Sequence, residues 1–243
     1  MLSAFSFGKI IKTFLPGSLL SAALLLVAEA LWQMLRGQSI IAMIAANGVI
    51  VATTAALLPL TLILGFVLNT VVWLAINGRM RASVHRRLRK STAYVALQSA
   101  LLHRLRVGLK RVAPTLDGVD SRLESLEYFY LPVVTLERHN QLWESYFSWY
   151  EFQTNTALAT VLFAAALVFY LLVMQPCHET IACVLVIVIS IAGAAMLLAA
   201  AAGNLSQYEL KLPVLIAGAL EFQQPVQALE TQNTLNAYLP ALP

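Results

Sequence analysis

Six polar side chains recur at helical spacing between residues 137 and 155: Glu137, Gln141, Glu144, Ser148, Glu151 and Asn155, within ERHNQLWESYFSWYEFQTN. At about 100° per residue they fall on one narrow stripe. Trp143, Phe147 and Tyr150 flank it on one side, and Leu142, Tyr146 and Trp149 on the other. Carboxylates so arranged can do three things. They can pair with Lys and Arg, within the chain or across an oligomer interface. They can line a vestibule whose acids attract cations. With convergent partners they can also hold a metal or take part in acid–base work. Ion pairing or a solvated face is the expected use, because charged runs on helices usually serve that way. The flanking aromatics are expected to be core and interfacial anchors, not a ligand cage.

Other chemistry is thin. There is no phosphate loop, dinucleotide fingerprint, HExxH, kinase or nucleophile-elbow motif. The histidines, His85, His103, His139 and His178, have no partner at i,i+4, and the Glu-x-x-His pairs of di-iron bundles are missing. His139 points away from the glutamate stripe by helical count. Cys177-His178-Glu179 with Cys183 could hold a metal or close a small disulfide loop, but a closed zinc site wants four well-spaced ligands. Apolar packing of Cys183 is the expectation. No metal or cofactor is expected.

The elements that must carry the stripe follow from composition. The chain of 243 residues is 59% hydrophobic and 12% charged, against about 25% charged in soluble domains, so it reads as a membrane protein. Its mean hydropathy is +0.74. Charge is segregated: no Asp or Glu lies between Glu29 and Asp117, while ten of the sixteen Lys and Arg fall in Arg79–Arg111.

Apolar runs of spanning length predict four membrane crossings, at about 14–35, 49–76, 156–174 and 181–203. Ala28-Glu29-Ala30 offers a rival, a signal-peptide cleavage pattern, but the apolar run continues through Trp32 and Leu35. Lys9, Lys12 and the basic segment should share the cytoplasmic side, which requires an even number of crossings before residue 77. Ile40–Ala46 is then an outer interfacial turn or a helical extension. Pro59 can kink the second span, Gly65 permits close packing, and Thr53, Thr54 and Asn69 can hydrogen-bond a neighbouring helix. Glu29 is an intramembrane carboxylate, a functional candidate by default, though Arg36 one to two turns on gives it a polar interface to face.

Residues 77–155 form the one sizeable polar region. Arg79, Arg81, Arg86, Arg87, Arg89 and Lys90 head a basic stretch expected to lie on anionic headgroups and fix orientation, since no nucleic-acid reading module accompanies it. Pro114 and Gly118 mark a turn, Asp120–Tyr130 reads as a helix, and the stripe follows. After Gly203, Pro213 and Pro225 punctuate a tail in which Leu215, Ala219 and Phe222 suggest a short amphipathic helix. The sequon at Asn204 reads as chance. No repeat of 20–50 residues occurs, and the two hairpins lie in parallel, unlike an inverted-repeat transporter.

The expected fold is therefore an all-α integral membrane protein: a hairpin in 1–76, a helical cytoplasmic module in 77–155, a second hairpin in 156–203 and a cytoplasmic tail in 204–243. The expected setting is a bacterial inner membrane with both termini inside. The functional expectation is a non-enzymatic, homo-oligomeric sensor or anchor subunit that couples the bilayer to a soluble protein partner. A small cation channel with the Glu stripe at its mouth comes second, and an enzyme acting on lipid last. Partners are membrane lipids and protein, not nucleic acid.

Overall fold

The computed structural model describes residues 7–46, 50–112, 136–174 and 180–238, with side chains described in 12–46, 58–101, 103, 136–174 and 180–218. Every element among them is helical: α1 (Phe7–Arg36), α2 (Ile40–Ala46), α3 (Ile50–Val72), a π-helical turn (Trp73–Asn77), α4 (Gly78–Leu88), α5 (Thr92–Val112), α6 (Leu136–Leu142), a second π-helical turn (Trp143–Phe147), α7 (Ser148–Met174) and α8 (Thr180–Tyr238). Four stretches are long and apolar enough to cross a bilayer: Lys12–Arg36, Leu58–Leu88, Leu136–Met174 and Thr180–Gly218. The chain has the character of a multi-pass helical membrane protein. The expected turn at 113–119 and helix at 120–130 lie outside the described residues.

Two compact units result, one of Met1–Ala82 with Ser148–Asn204 and the other of Ser83–Phe147 with Leu205–Pro243. In the first, α1 packs on both α3 and α7. Small residues set the α1–α3 crossing. A Cβ on Gly17 would strike the Thr61 carbonyl oxygen and stand 3.0 Å from the Gly65 backbone nitrogen. One on Gly65 would strike the Thr13 carbonyl oxygen and meet its methyl carbon at 2.8 Å. Thr13 and Gly17 on one helix thus face Gly65 and Thr61 on the other, each pair spaced i,i+4, so backbones touch where side chains would otherwise intervene. Lipid tails are as apolar as leucine, so this contact rests on close packing more than on removal from water. The hydroxyls join in without needing a partner helix: Ser21 donates to the Gly17 carbonyl at 2.9 Å and Thr61 to that of Leu58 at 2.7 Å.

In the second unit Phe147, Tyr208, Leu205, Leu212 and Ile216 are almost wholly buried. The Phe147 ring lies 4.0 Å from Trp143 and 5.2 Å from Tyr208, and Trp143 meets Tyr208 edge-on at 6.2 Å. These offset and edge contacts suit the quadrupoles of the rings. Ser91 opens α5, accepting from the Tyr94 amide at 3.4 Å on its hydroxyl and from the Val95 amide at 3.1 Å on its carbonyl.

Sequence punctuation is overridden in two places. α1 begins at Phe7 rather than near residue 14, which puts Pro16 inside the helix, buried beside the Gly17 contact. α8 runs through Gly203, Pro213 and Pro225 without a break. A proline inside a helix costs about 3 kcal/mol or more in isolation. Pro213 is fully buried between Leu212 and the turn that carries Ile216, and packing of this kind can offset the missing bond.

Glycine substitutions separate contact from conformational freedom. Gly65→Leu should destabilise the detergent-solubilised protein by about 1–3 kcal/mol or more through overpacking. Gly203, whose Cβ would meet nothing within 4 Å, should tolerate Ala and gain about 0.5–1 kcal/mol. Melting curves of the two variants against the parent check the opposite signs.

Candidate functional site

α7 is the centre of the first unit's polar chemistry. Its opening residues, SWYEFQTN, alternate groups that face three different helices. Lys12 of α1 donates to the Ser148 hydroxyl, and its ammonium sits 4.5 Å above the Trp149 ring. The same ammonium exerts its field on the half-buried Glu151 carboxylate. Tyr150, fully buried, donates through its hydroxyl to Asn77 Oδ1 at 2.9 Å. Gln153 Oε1 accepts from Asn204 of α8 at 2.9 Å. Asn155 Nδ2 donates to Asn69 Oδ1 of α3 at 2.9 Å. Each neighbouring helix is held to α7 by at least one polar tie.

The hydroxyls between these ties turn back on their own helix. Thr154 donates to the Tyr150 carbonyl at 2.8 Å, Thr156 to Phe152 at 2.7 Å and Thr160 to Thr156 at 2.8 Å. Local bonds of this type satisfy a hydroxyl in an apolar setting. Among the described residues, the buried Asn155 Oδ1 has no hydrogen-bond partner.

The six-residue stripe does not survive as one face. A π turn holds one more residue than an α turn, so the phase counted through Trp143–Phe147 slips by about 100°. Glu137 and Glu144 belong to the second unit, the first exposed and the second half-buried. Ser148, Glu151 and Asn155 belong to the first, with Ser148 and Asn155 buried among the inter-helix ties. A second π turn, Trp73–Asn77, ends in the buried Asn77 that Tyr150 engages. Nothing in either pentapeptide, WLAIN or WESYF, signals π geometry by residue type.

Glu29 is also tied down, though not by Arg36. Its carboxylate is 1% exposed and accepts from the Ile40 amide at 2.8 Å, the Ile41 amide at 3.2 Å and Gln33 Nε2 at 3.0 Å. It caps α2, while Arg36 lies over the Trp32 ring at 5.7 Å. Backbone donors at a helix start satisfy an anion as well as a cation does, and the sequence offers no side chain to announce them.

Of the basic residues, Arg79, Arg86, Arg87, Arg89 and Lys90 are exposed and Arg81 is half-buried, with its field reaching Tyr150. In the second unit His85 Nε2 lies 3.4 Å from the buried Glu209 carboxylate, and Lys211 bonds the Tyr146 hydroxyl with its ammonium 4.3 Å from the ring centre. His139 is buried 5.9 Å from the Trp143 ring, and His103 is exposed. Cys183 is a buried free thiol. Cys177, His178 and Glu179 lie outside the described residues, as do the side chains of Thr53 and Thr54. Among the described residues no three His, Cys, Asp or Glu converge on a metal-sized centre. Lys12, Asn77, Gln153, Asn204 and the His85–Glu209 pair were not singled out by spacing as members of these ties.

A double-mutant cycle tests the central tie. Asn69→Leu and Asn155→Leu should each lower unfolding free energy in bicelles, with a coupling of about 0.5–2 kcal/mol, the range of inter-helix hydrogen bonds in membranes. Additive effects would mean that the two amides act separately. No family model matches the chain, and no curated protein or solved structure is similar enough to it to carry an argument.

Proposed function

We propose that the chain is a non-enzymatic membrane subunit, two hairpins with both ends on the cytoplasmic side of a bacterial inner membrane, that anchors a soluble protein and reports the state of the bilayer to it. It works as a homo-oligomer. One observation carries this reading: among the described residues, four polar pairs tie the apolar helices to one another. Lys12–Ser148, Tyr150–Asn77, Asn204–Gln153 and Asn155–Asn69 consume the side chains that catalysis or conduction would otherwise employ. What remains outward is apolar surface, suited to lipid or another copy, and the exposed cations of Arg79–Lys90.

Those cations support the lipid side of the proposal. Each Lys or Arg near an anionic surface adds on the order of 1 kcal/mol of attraction. Arg86, Arg87, Arg89 and Lys90 replaced together by Gln should reduce the anionic lipid that co-purifies in native mass spectra, leaving zwitterionic lipid unchanged. The cation-channel reading draws no support from the side chains named above, because Asn69 and Asn155 bond each other and Glu151 lies in the field of Lys12.

The deciding experiment is crosslinking in native membranes, followed by mass determination of the complex. A stoichiometric soluble protein crosslinked through residues 77–155 is the expected result. Recovery of the chain alone, or with copies of itself only, overturns the anchor role. In planar bilayers Glu144→Gln and Glu151→Gln should leave cation current at background; a changed current would move the protein to the channel class.

A further inference from the structure

α2 is seven residues, Ile40–Ala46, apolar throughout, with none of them buried. At about 1.5 Å per residue it spans about 10 Å, far short of a crossing. Its position follows from α1. Two cation–tryptophan pairs mark that helix: Lys12 over Trp149 at 4.5 Å and Arg36 over Trp32 at 5.7 Å. From Lys12 to Trp32 the helix rises about 30 Å, the thickness of a hydrocarbon core, and tryptophan and cations concentrate at its two boundaries. The chain reverses immediately after the second pair. The Gly37 amide closes α1 on the Gln33 carbonyl at 2.8 Å, and Gly37 adopts φ +65°, open to glycine without a steric cost.

The start of α2 is then fixed to α1. Glu29 receives the Ile40 and Ile41 amides and Gln33, while Ser39 receives the Ala42 amide at 3.0 Å. Apolar side chains follow, each about half exposed: Ile41 is 46% exposed and Met43 45%. No charged residue occurs between Arg36 and Arg79. Seven residues offer far less than the about 1,000 Å² that a stable protein interface needs, but they suit the boundary between headgroups and acyl chains, where short apolar faces partition.

We propose that α2 docks into the headgroup–acyl boundary of the leaflet at the Trp32–Arg36 end of α1, and that Glu29 is the clasp that sets its depth. Lacking cations, α2 gains nothing from anionic headgroups, so its docking is independent of lipid charge. The proposal rests on α1 crossing the bilayer and not on the anchor function.

The test uses the full chain with Cys177→Ser and Cys183→Ala, a nitroxide on Met43→Cys, and nanodiscs of phosphatidylcholine alone. Labels at Gln38→Cys and Leu24→Cys serve as water and acyl-chain references; both sites are exposed in the protein. The ratio of oxygen to nickel-chelate collisions at Met43 should be several-fold above that at Gln38 and below that at Leu24. Adding anionic lipid should not change it. Glu29→Ala should bring Met43 down to the Gln38 value while Leu24 keeps its own. A Met43 ratio equal to Gln38 in the parent overturns the docking, and shielding from both reagents assigns the face to protein, such as a second copy. An unchanged ratio in Glu29→Ala overturns the clasp. If that variant also loses the Leu24 signal, Ser39→Ala replaces it, with a smaller fall at Met43 expected and no fall overturning the clasp.

Discussion

A hydrogen-bonding group in hydrocarbon has no water to turn to, and this constraint organises the first unit. Amide and hydroxyl side chains within apolar helices are costly alone and useful only when another helix answers them. α7 is where the answers collect. Ser148, Tyr150, Gln153 and Asn155 occupy little more than two turns, yet they engage α1, the π turn after α3, α8 and α3 respectively. The energy of any one tie is modest, and in bilayers such bonds average about 0.6 kcal/mol. Their larger effect is on register. A slip of one residue along any partner leaves both members of a pair unsatisfied, so the alternatives are penalised more than the native arrangement is rewarded.

Close approach is the second constraint on this unit. The gap between α1 and α3 is set by Gly17 and Gly65 with the Thr13 and Thr61 backbones against them. Larger residues there would push these two helices apart. The two devices divide the work: glycines bring α1 and α3 together, and polar pairs set the register of α7 against its neighbours.

Much of this was legible in the residues and some was not, for reasons that differ. The spans stood out because an apolar run of 18 or more residues has few other readings, and Asn69 and Gly65 stood out because each is conspicuous inside such a run. Gly17 did not, since nothing in its spacing marks the backbone it meets. Residue types point from Glu29 to Arg36, but beside Gln33 its donors are the Ile40 and Ile41 backbone amides, which no residue type encodes. Gly203 and Pro213 read as punctuation by local preference, which packing outweighs in α8. The stripe from Glu137 to Asn155 was a correct count on an ideal helix. It fails where WESYF winds as a π turn, because the extra residue is a matter of packing and not of composition.

The ties also differ in how far apart their members lie along the chain, and that orders their making during synthesis. Glu29 finds its amides 11 and 12 residues on, so its charge can be satisfied as soon as that short length has left the ribosome. Asn77 waits 73 residues for Tyr150, and Asn69 waits 86 for Asn155. Lys12 waits longest, 136 residues for Ser148. The Glu29 clasp can therefore close early, whereas both of the first two spans carry polar groups whose partners do not yet exist. Until α7 arrives, Asn69 and Asn77 mark the nascent protein as unfinished, the kind of exposed intramembrane polarity on which insertion chaperones and quality-control proteases can act.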